Sequence, residues 1–358
     1  MINVKSLLVV SLTLLIGACL TATAHARPTI TGKPVIDRPP LLAWPSDQGT
    51  LEPNLDDNTA NTVNDLHSRI DDCDLVLSTE GNYHPALHDI WPVFLAQFKG
   101  TPLHNWLYTT SPPVVLSQLA HGQLQFGNFT TTCRPSVAIA NKGVIDQLVN
   151  EGLAEGAPVA LYRDRGSVLL VKHGNPKHIR SVWDLVRDDV RVVTPNPEIE
   201  KGAFITYADT LYGIASQDDA PPAGQTADRL FNSLFNSRLP LKWLAGERIH
   251  HRNLPWSIAY GRADAGVIYS HLARYIVAAF PELFDVVPLG GTIDNPQPLP
   301  GSRINTRYMV RIKGPWNARQ LEARETLFAT LLSSAFTEVL VRRGLARPEP
   351  TSLVDTRP

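Results

Sequence analysis

The sequence predicts an α/β fold built on a largely parallel sheet. Between residues 74 and 148, a short apolar run is followed by a polar turn and then a helical stripe, three times in succession. Strands that alternate with helices in this way pair in parallel, because each helix returns the chain across the sheet. The chain has 358 residues, 43% of them hydrophobic, which is enough for two compact lobes or one large α/β domain.

The first three units are read from apolar runs and helix-start signals. Their strands are predicted at residues 74–77, 104–108 and 136–140. The first helix carries Pro92, so it is either kinked there or begins near Asp89. Ser111, followed by Pro112, is predicted to cap the second helix. The third helix follows the polar turn that begins at Asn141.

The second half continues the same pattern. Further strands are predicted at residues 166–172, 191–194, 267–269 and 307–312, with helices near 182–186 and 230–234. An amphipathic stripe predicts one long helix over residues 321–341.

Residues 191–209 form the stretch most typical of a binding site. A β-branched strand ends at Thr194, Pro195 and Pro197 break it, and Gly202 opens a helix. The unsatisfied backbone N–H groups of such a helix start favour an anion.

The amino terminus predicts export. Residues 1–26 have the charge, apolar core and small-residue end of a signal peptide, which would be cleaved after Ala26. The alternative is a lipoprotein anchored through Cys19, and both alternatives place the folded protein outside the cytoplasm. Residues 27–72, rich in Pro, Asp, Asn and Thr, predict a surface extension that ends in a short helix near residues 63–66.

Two cysteines remain after export, Cys73 and Cys133. In an oxidising compartment they favour a structural disulfide, although spacing alone does not pair them.

Several function classes are disfavoured. The formal net charge of −1 gives no reason to expect nucleic acid or an anionic membrane as partner. His84 and His88 have zinc-helix spacing but no evident third ligand, and His250 with His251 is read as structural. No Gly-x-Ser-x-Gly motif supports a hydrolase, so we predict a protein that is not an enzyme and has no cofactor.

Three longer stretches carry a family resemblance: residues 167–185, residues 194–203 and residues 261–270. Their order and spacing resemble those of the periplasmic solute-binding proteins of ABC importers that bind molybdate, tungstate or sulfate. The resemblance spans roughly residues 73–344 and implies a two-lobed type II periplasmic binding protein fold, each lobe a mixed, mostly parallel sheet flanked by helices. A hinge of two crossing strands, near residues 164–167 and 302–308, would join lobe I (73–163 plus 304–358) to lobe II (164–303).

The resemblance also implies a binding site made of uncharged donors at the starts of loops and helices. In lobe I, the matching hydroxyls are Ser78 or Thr79 and Ser111 or Thr110. Asn141, in the polar turn of the third unit, is a further candidate ligand-binding residue. In lobe II, the matching groups are Thr194, the turn at residues 199–202, which includes Lys201 and Gly202, and the phenol of Tyr269.

Three charged residues depart from the family pattern: Glu80, Glu200 and Lys201. A carboxylate that faces an oxyanion is unfavourable. Either the two acids point away from the ligand, or the ligand is not a simple dianion and Lys201 contacts a carboxylate.

The predicted function is capture of a small oxyanion for delivery to an ABC permease in the inner membrane by a monomeric periplasmic protein. The alternative is a sensor of the same fold for a small organic anion or another solute.

Overall fold

The computed structural model describes residues 26–37, 65–68, 73–111, 116–122, 124–126, 129–131, 133–246 and 249–349. Two six-stranded mixed sheets, each flanked by helices, form its framework, which confirms the α/β prediction. The strands are β1 (Val35–Asp37), β2 (Asp65–Ser68), β3 (Leu75–Thr79), β4 (Trp106–Ser111), β5 (Leu124–Phe126), β6 (Phe129–Thr131), β7 (Val137–Asn141), β8 (Ala154–Arg163), β9 (Ser167–Lys172), β10 (Val192–Thr194), β11 (Trp243–Gly246), β12 (Ala265–Tyr269), β13 (Phe284–Pro288) and β14 (Thr306–Ile312). The helices are α1 (His84–Leu95), α2 (Leu116–His121), α3 (Lys142–Asn150), α4 (Lys201–Ser216), α5 (Ala227–Phe235), α6 (His250–Ala259), α7 (Ser270–Ala279), α8 (Ala318–Leu332) and α9 (Ser334–Arg342), with 3-10 turns at Gly81–Tyr83 and Val182–Val186.

The first sheet has the order β2-β4-β3-β7-β14-β8. Strand β3 pairs in parallel with β4 and β7, whereas β2, β14 and β8 join in antiparallel fashion. Its main core lies under α1, α8 and α9 and includes Leu77, Phe94, Ile139, Phe328 and Phe336.

The second sheet has the order β1-β11-β10-β12-β9-β13. Strands β1, β11, β10 and β12 are parallel, and β9 and β13 are antiparallel to them. Its core lies against α4, α5, α6 and α7 and includes Leu170, Phe204, Leu211, Phe231 and Ile268. The described strands therefore form mixed sheets in both halves, and parallel pairs predominate only in the second sheet.

After β2, the two crossings of the chain between the sheets lie close to each other. It leaves the first sheet after Arg163, enters the second at Ser167, and returns to the first at Thr306. Asp164 and Asn305 join the two crossing segments. The Asp164 main-chain N–H donates to the Asn305 carbonyl at 3.0 Å, and Asp164 Oδ2 accepts from the main-chain and side-chain amides of Asn305, each at 3.0 Å. Burial raises the pKa of Asp164, while the Gly166 and Asn305 donors oppose that rise.

The amino-terminal segment differs from the predicted surface extension. Its described parts supply an edge strand to each sheet, β1 against β11 and β2 against β4. The short helix predicted near residue 66 was therefore wrong, since Asp65–Ser68 form a strand. Arg27 also pairs with Asp209 of α4 at 2.9 Å. Residues 1–25 of the predicted signal peptide (1–26), and with them the alternative anchor at Cys19, lie outside the described residues.

Three helix predictions also need correction. The long helix predicted over residues 321–341 is two helices, because Ser333 adopts an extended conformation and its hydroxyl caps α9 at Phe336. Ser111 was predicted to start a helix, but it is the last residue of β4 and α2 begins at Leu116. Helix α1 runs through Pro92 from His84, so the alternative start near Asp89 was wrong.

The predicted disulfide between Cys73 and Cys133 is present, with 5.4 Å between the Cα atoms. It lies at the amino ends of β3 and β7, within a small apolar cluster with Val76, Leu107 and Leu124. None of the helices in the described ranges has the length and apolar character needed to span a membrane.

Candidate functional site

The candidate site lies where the carboxyl ends of strands from both sheets meet. In the first sheet β3, β4 and β7 end together, and β14 begins there with Arg307 opposite Asn141. In the second sheet β10 and β12 end at Thr194 and Tyr269. A hydrogen bond of 2.6 Å from His271 Nε2 to the Asn82 carbonyl joins the two halves beside this point.

The first loop supplies buried hydroxyls. Ser78 and Thr79 end β3, and both side chains are buried. The Thr79 hydroxyl is already hydrogen-bonded to the Tyr83 hydroxyl at 2.7 Å. Of the two predicted donors, Ser78 is therefore the one whose hydroxyl is more available to a ligand.

The second and third loops lie beside the first. Thr110 and Ser111 end β4, the strand next to β3, and the structure describes only their main chain. Asn141 ends β7 and caps α3, since its Oδ1 accepts from the Val144 amide at 3.1 Å. Only the Asn141 amide nitrogen therefore remains available to a ligand.

In the second half, the turn after β10 is shaped by Asn196. Its Oδ1 accepts from the Glu198 amide at 2.9 Å, and its Nδ2 donates to the Gly246 carbonyl at 3.2 Å. The Thr194 hydroxyl donates to the Pro195 carbonyl and accepts from the Trp243 indole. The main chain of Thr194, and not its hydroxyl, is therefore the part of this residue that can contact a ligand.

The start of α4 has donors that no side chain caps. The residue before it, Glu200, makes no side-chain cap to this helix, so the first-turn amides lack a side-chain acceptor within the described part of the chain. Lys201 and Gly202 are exposed there. A Cβ added to Gly202 would meet no atom within 4 Å, which leaves the backbone open to close approach.

Glu200 directs its carboxylate to another helix. Its Oε2 accepts from the His250 amide at 2.9 Å, at the start of α6, which otherwise has no side-chain cap. Burial raises the pKa of Glu200 to about 7, and this hydrogen bond opposes the rise. The Glu200 side chain therefore stabilises the positive, amino-terminal end of α6.

Tyr269 lies at the centre of the junction. Its ring is buried and packs on Tyr207 and His271, with centroids 5.0 and 5.6 Å away. Burial raises the pKa of Tyr269 to about 12, and the Arg307 guanidinium opposes that rise. The phenol is thus protonated at neutral pH and can donate a hydrogen bond.

Sequence reasoning missed Arg307, which was read only as part of a strand. Its side chain is buried, and its Nε donates to Glu80 Oε2 at 2.6 Å. Asn82 donates to the same oxygen at 3.1 Å. Both acids that departed from the family pattern are therefore engaged, Glu80 by Arg307 and Glu200 by α6. The alternation of Tyr308 and Val310 with Arg307 and Met309 was the only available signal, since it puts Arg307 on the face of the strand that packs into the main core.

The structure shows no metal centre among the residues it describes. No group of three or more His, Cys, Asp or Glu side chains there is arranged to hold an ion. His84 instead lies 3.5 Å from the Tyr108 hydroxyl through its Nδ1.

A family model described as bacterial extracellular solute-binding protein matches residues 75–346. The chain belongs to this family. The match includes both sheets apart from β1 and β2. The sequence-based family resemblance is thereby confirmed.

Some proteins that are similar to this solute-binding protein are named for the sulfur or molybdenum oxyanion that they bind. A thiosulfate-binding protein of Escherichia coli (strain K12) is 39% identical over 67 residues, which are 19% of this chain and 20% of that protein. The match thus spans about a fifth of the length of that curated relative.

Solved structures show the same fold at low identity. The sulfate-binding protein SubI from Mycobacterium tuberculosis H37Rv superposes with a TM-score of 0.54 at 16% identity, covering 79% of this chain and 88% of that one. The periplasmic molybdate-binding protein of Azotobacter vinelandii superposes with a TM-score of 0.50 at 14% identity, covering 77% and 100%.

Proposed function

We propose that this protein is the exported substrate-binding component of an ABC importer and captures a small oxyanion between two lobes, about 73–163 plus 304–358 and 164–303. The observation that carries the proposal is that uncharged donors stand at strand ends of both sheets, beside the place where the His271–Asn82 hydrogen bond joins the two halves. Ser78 comes from one side, and Tyr269 and the uncapped start of α4 come from the other.

The electrostatics support an anion. Preorganised hydroxyls and helix-start amides hold a dehydrated anion without the desolvation of additional full charges. The two nearby carboxylates, Glu80 and Glu200, are hydrogen-bonded within the protein. The thiosulfate-, sulfate- and molybdate-binding relatives support the same ligand class.

Delivery to a permease and a periplasmic location extend the proposal from the family. Such a protein is monomeric in solution and closes its lobes on the ligand, so that both sets of donors reach it together.

A second candidate is a sensor or carrier of the same fold for a small organic anion. Lys201 favours it, because an exposed ammonium at the first turn of α4 suits a carboxylate that extends beyond the donors.

The test is a thermal-shift and calorimetric titration of the exported form against molybdate, tungstate, sulfate, thiosulfate, phosphate and a panel of small carboxylates. At one hundred times its dissociation constant, a ligand adds about 2.7 kcal/mol and raises Tm by a few degrees. We expect an inorganic oxyanion to produce this shift. A response to carboxylates alone supports the second candidate, and no response to any anion contradicts both.

A further inference from the structure

Arg307 is a buried cation at the junction of the two sheets. Glu80 and Arg307 are each about 8% exposed, and both lie outside the uncharged donor set expected of this site. Burial disfavours the charge, yet Glu80, Tyr269 and Tyr162 raise the pKa of Arg307 well above its ordinary value. The guanidinium is therefore charged.

The guanidinium has more donors than the protein uses. Arginine carries five N–H donors in a planar fork, and Nε spends one on Glu80. The Tyr269 hydroxyl is close enough for hydrogen bonding with Arg307 to lower the pKa of this phenol. In the part of the chain that the structure describes, no hydrogen bond from the terminal nitrogens to an acceptor beyond Glu80 and Tyr269 is found. These N–H groups can therefore donate to a ligand that reaches them.

Neighbouring polar atoms share this condition. Tyr162 pairs with Arg307 across the sheet, so the two side chains lie on the same face, and the Tyr162 hydroxyl has no partner among the described residues. Ser167 pairs with Tyr269 in the other sheet, and its buried hydroxyl also lacks a described partner. Three donor groups, on strands of both sheets, are thus left for a ligand.

We propose that Arg307 contacts the bound anion through its terminal N–H groups, and that Glu80 is the positioning residue that holds the guanidinium. The free edge of a planar guanidinium matches two oxygens of one group, so the ligand presents a two-oxygen edge of a tetrahedral oxyanion or a carboxylate. This inference rests on the proposed function, since it assigns a specificity residue to the same site.

Glu80 also sets the charge of the site. The Glu80 carboxylate cancels the Arg307 charge. The pair therefore offers the anion oriented N–H donors without adding a net positive charge to the site. Removing the Glu80 charge alone should increase the attraction for anions, whereas removing both charges should leave neutral groups with much weaker donors.

The experiment compares three variants by calorimetric titration with molybdate, sulfate, phosphate and acetate. E80Q/R307Q keeps a neutral hydrogen-bonding pair, so no unpaired charge is buried. E80Q keeps Arg307 alone. R311Q/E325Q is the matched control, because Arg311 lies on the same strand and pairs with Glu325 at 2.6 Å away from the cleft.

We expect E80Q/R307Q to bind the anion preferred by the wild-type protein roughly 100-fold more weakly. E80Q should bind it at least as tightly as the wild type, and R311Q/E325Q should be unchanged. Circular dichroism and thermal unfolding establish that each variant is folded.

The outcomes separate the two proposals. If the wild type binds an anion and folded E80Q/R307Q binds it equally well, the pair is only a structural brace and this inference is wrong. If the wild type binds none of the anions of the wider panel, including tungstate, thiosulfate and the carboxylates, the proposed function fails first. Weaker binding by E80Q than by E80Q/R307Q would also overturn the role assigned to Arg307. Comparing the affinities for acetate and for sulfate shows whether the guanidinium binds a carboxylate or a tetrahedral oxyanion.

Discussion

At the scale of single residues, Glu200 shows how an acid next to a predicted anion site is kept from opposing it. The Glu200 carboxylate accepts from the first amide of α6 instead of facing the start of α4. Its neighbour Lys201 remains exposed. The sequence left open whether this acid points away from the ligand or the ligand is not a simple dianion, and the structure shows Glu200 bonded to a partner 50 positions away in sequence.

Glu200 should make stability depend on pH. Its pKa is about 7 in the folded protein and near 4.5 ordinarily, so the folded state keeps a proton that the unfolded chain releases. Stability conferred by this group is therefore full below pH 4.5 and is lost as pH rises through 7. Glu200→Gln keeps the acceptor oxygen and removes the titration. Relative to this variant, we expect the wild type to lose up to about 3 kcal/mol between pH 5 and pH 8 in urea unfolding.

The control for this measurement is Glu198→Gln, since Glu198 is an exposed acid in the same turn. Its difference from wild type should not change with pH. Equal pH profiles for Glu200→Gln and wild type would contradict the assignment.

Tyr269 should lower the free energy of binding through its hydroxyl. Tyr269→Phe retains the ring packing against Tyr207 and removes one donor, so we expect anion affinity to fall about tenfold with little change in Tm. Titration calorimetry measures the loss. Tyr212→Phe is the matched control, because the Tyr212 hydroxyl bonds Asp228 on the other side of α4. An equal effect of both substitutions would remove Tyr269 from the site.

The positions of most proposed site residues in the fold could be predicted because these residues end strands. Ser78, Thr79, Asn141, Thr194 and Tyr269 all stand at strand ends, which local pattern locates well. Arg307 could not be found in this way. Its partner Glu80 is 227 positions away, and no local pattern reports such a pairing.

At the scale of elements, the start of α4 is the part of the second lobe best suited to bind an anion. The sequence placed the turn and the helix correctly because proline and glycine mark both ends of the turn. The same reasoning failed for the helix predicted over residues 321–341. Its apolar stripe continues through Ser333, where the chain is extended. The Arg347 guanidinium donates to the Leu331 and Ser333 carbonyls at this break, a contact that no local pattern reports.

Gly202 offers a test of backbone contact at this helix start. A methyl group there meets no protein atom, so Gly202→Ala should leave stability unchanged or raise it by about 0.5–1 kcal/mol. If a ligand sits against the first-turn amides, the same methyl group should lower its affinity. Unfolding and titration on the same preparation give both values. Unchanged affinity would place the ligand away from α4.

At the scale of the whole molecule, the disulfide and the candidate site lie at opposite ends of the first sheet. Cys73 and Cys133 precede β3 and β7, whereas the predicted donors follow these strands. Stabilisation by this bridge should therefore be separable from ligand binding.

The variant C73S/C133S tests this separation. The cysteines are 60 positions apart, and closing a loop of that length stabilises the folded state by about 2–4 kcal/mol. We expect urea unfolding to show this loss and anion affinity to stay within about twofold. A large loss of affinity in the folded variant would show that the bridge supports the cleft.

The two edge strands from the amino-terminal segment have a practical consequence. The family match begins at residue 75, after both β1 and β2, so a fragment cut at that boundary loses an outer strand from each sheet. The main-chain groups of β11 and β4 would then be open to pairing with other molecules. Exposed strand edges of this kind promote aggregation. Material prepared from the family boundary alone should precipitate or self-associate, and the segment from Arg27 onward belongs in any preparation meant to measure binding.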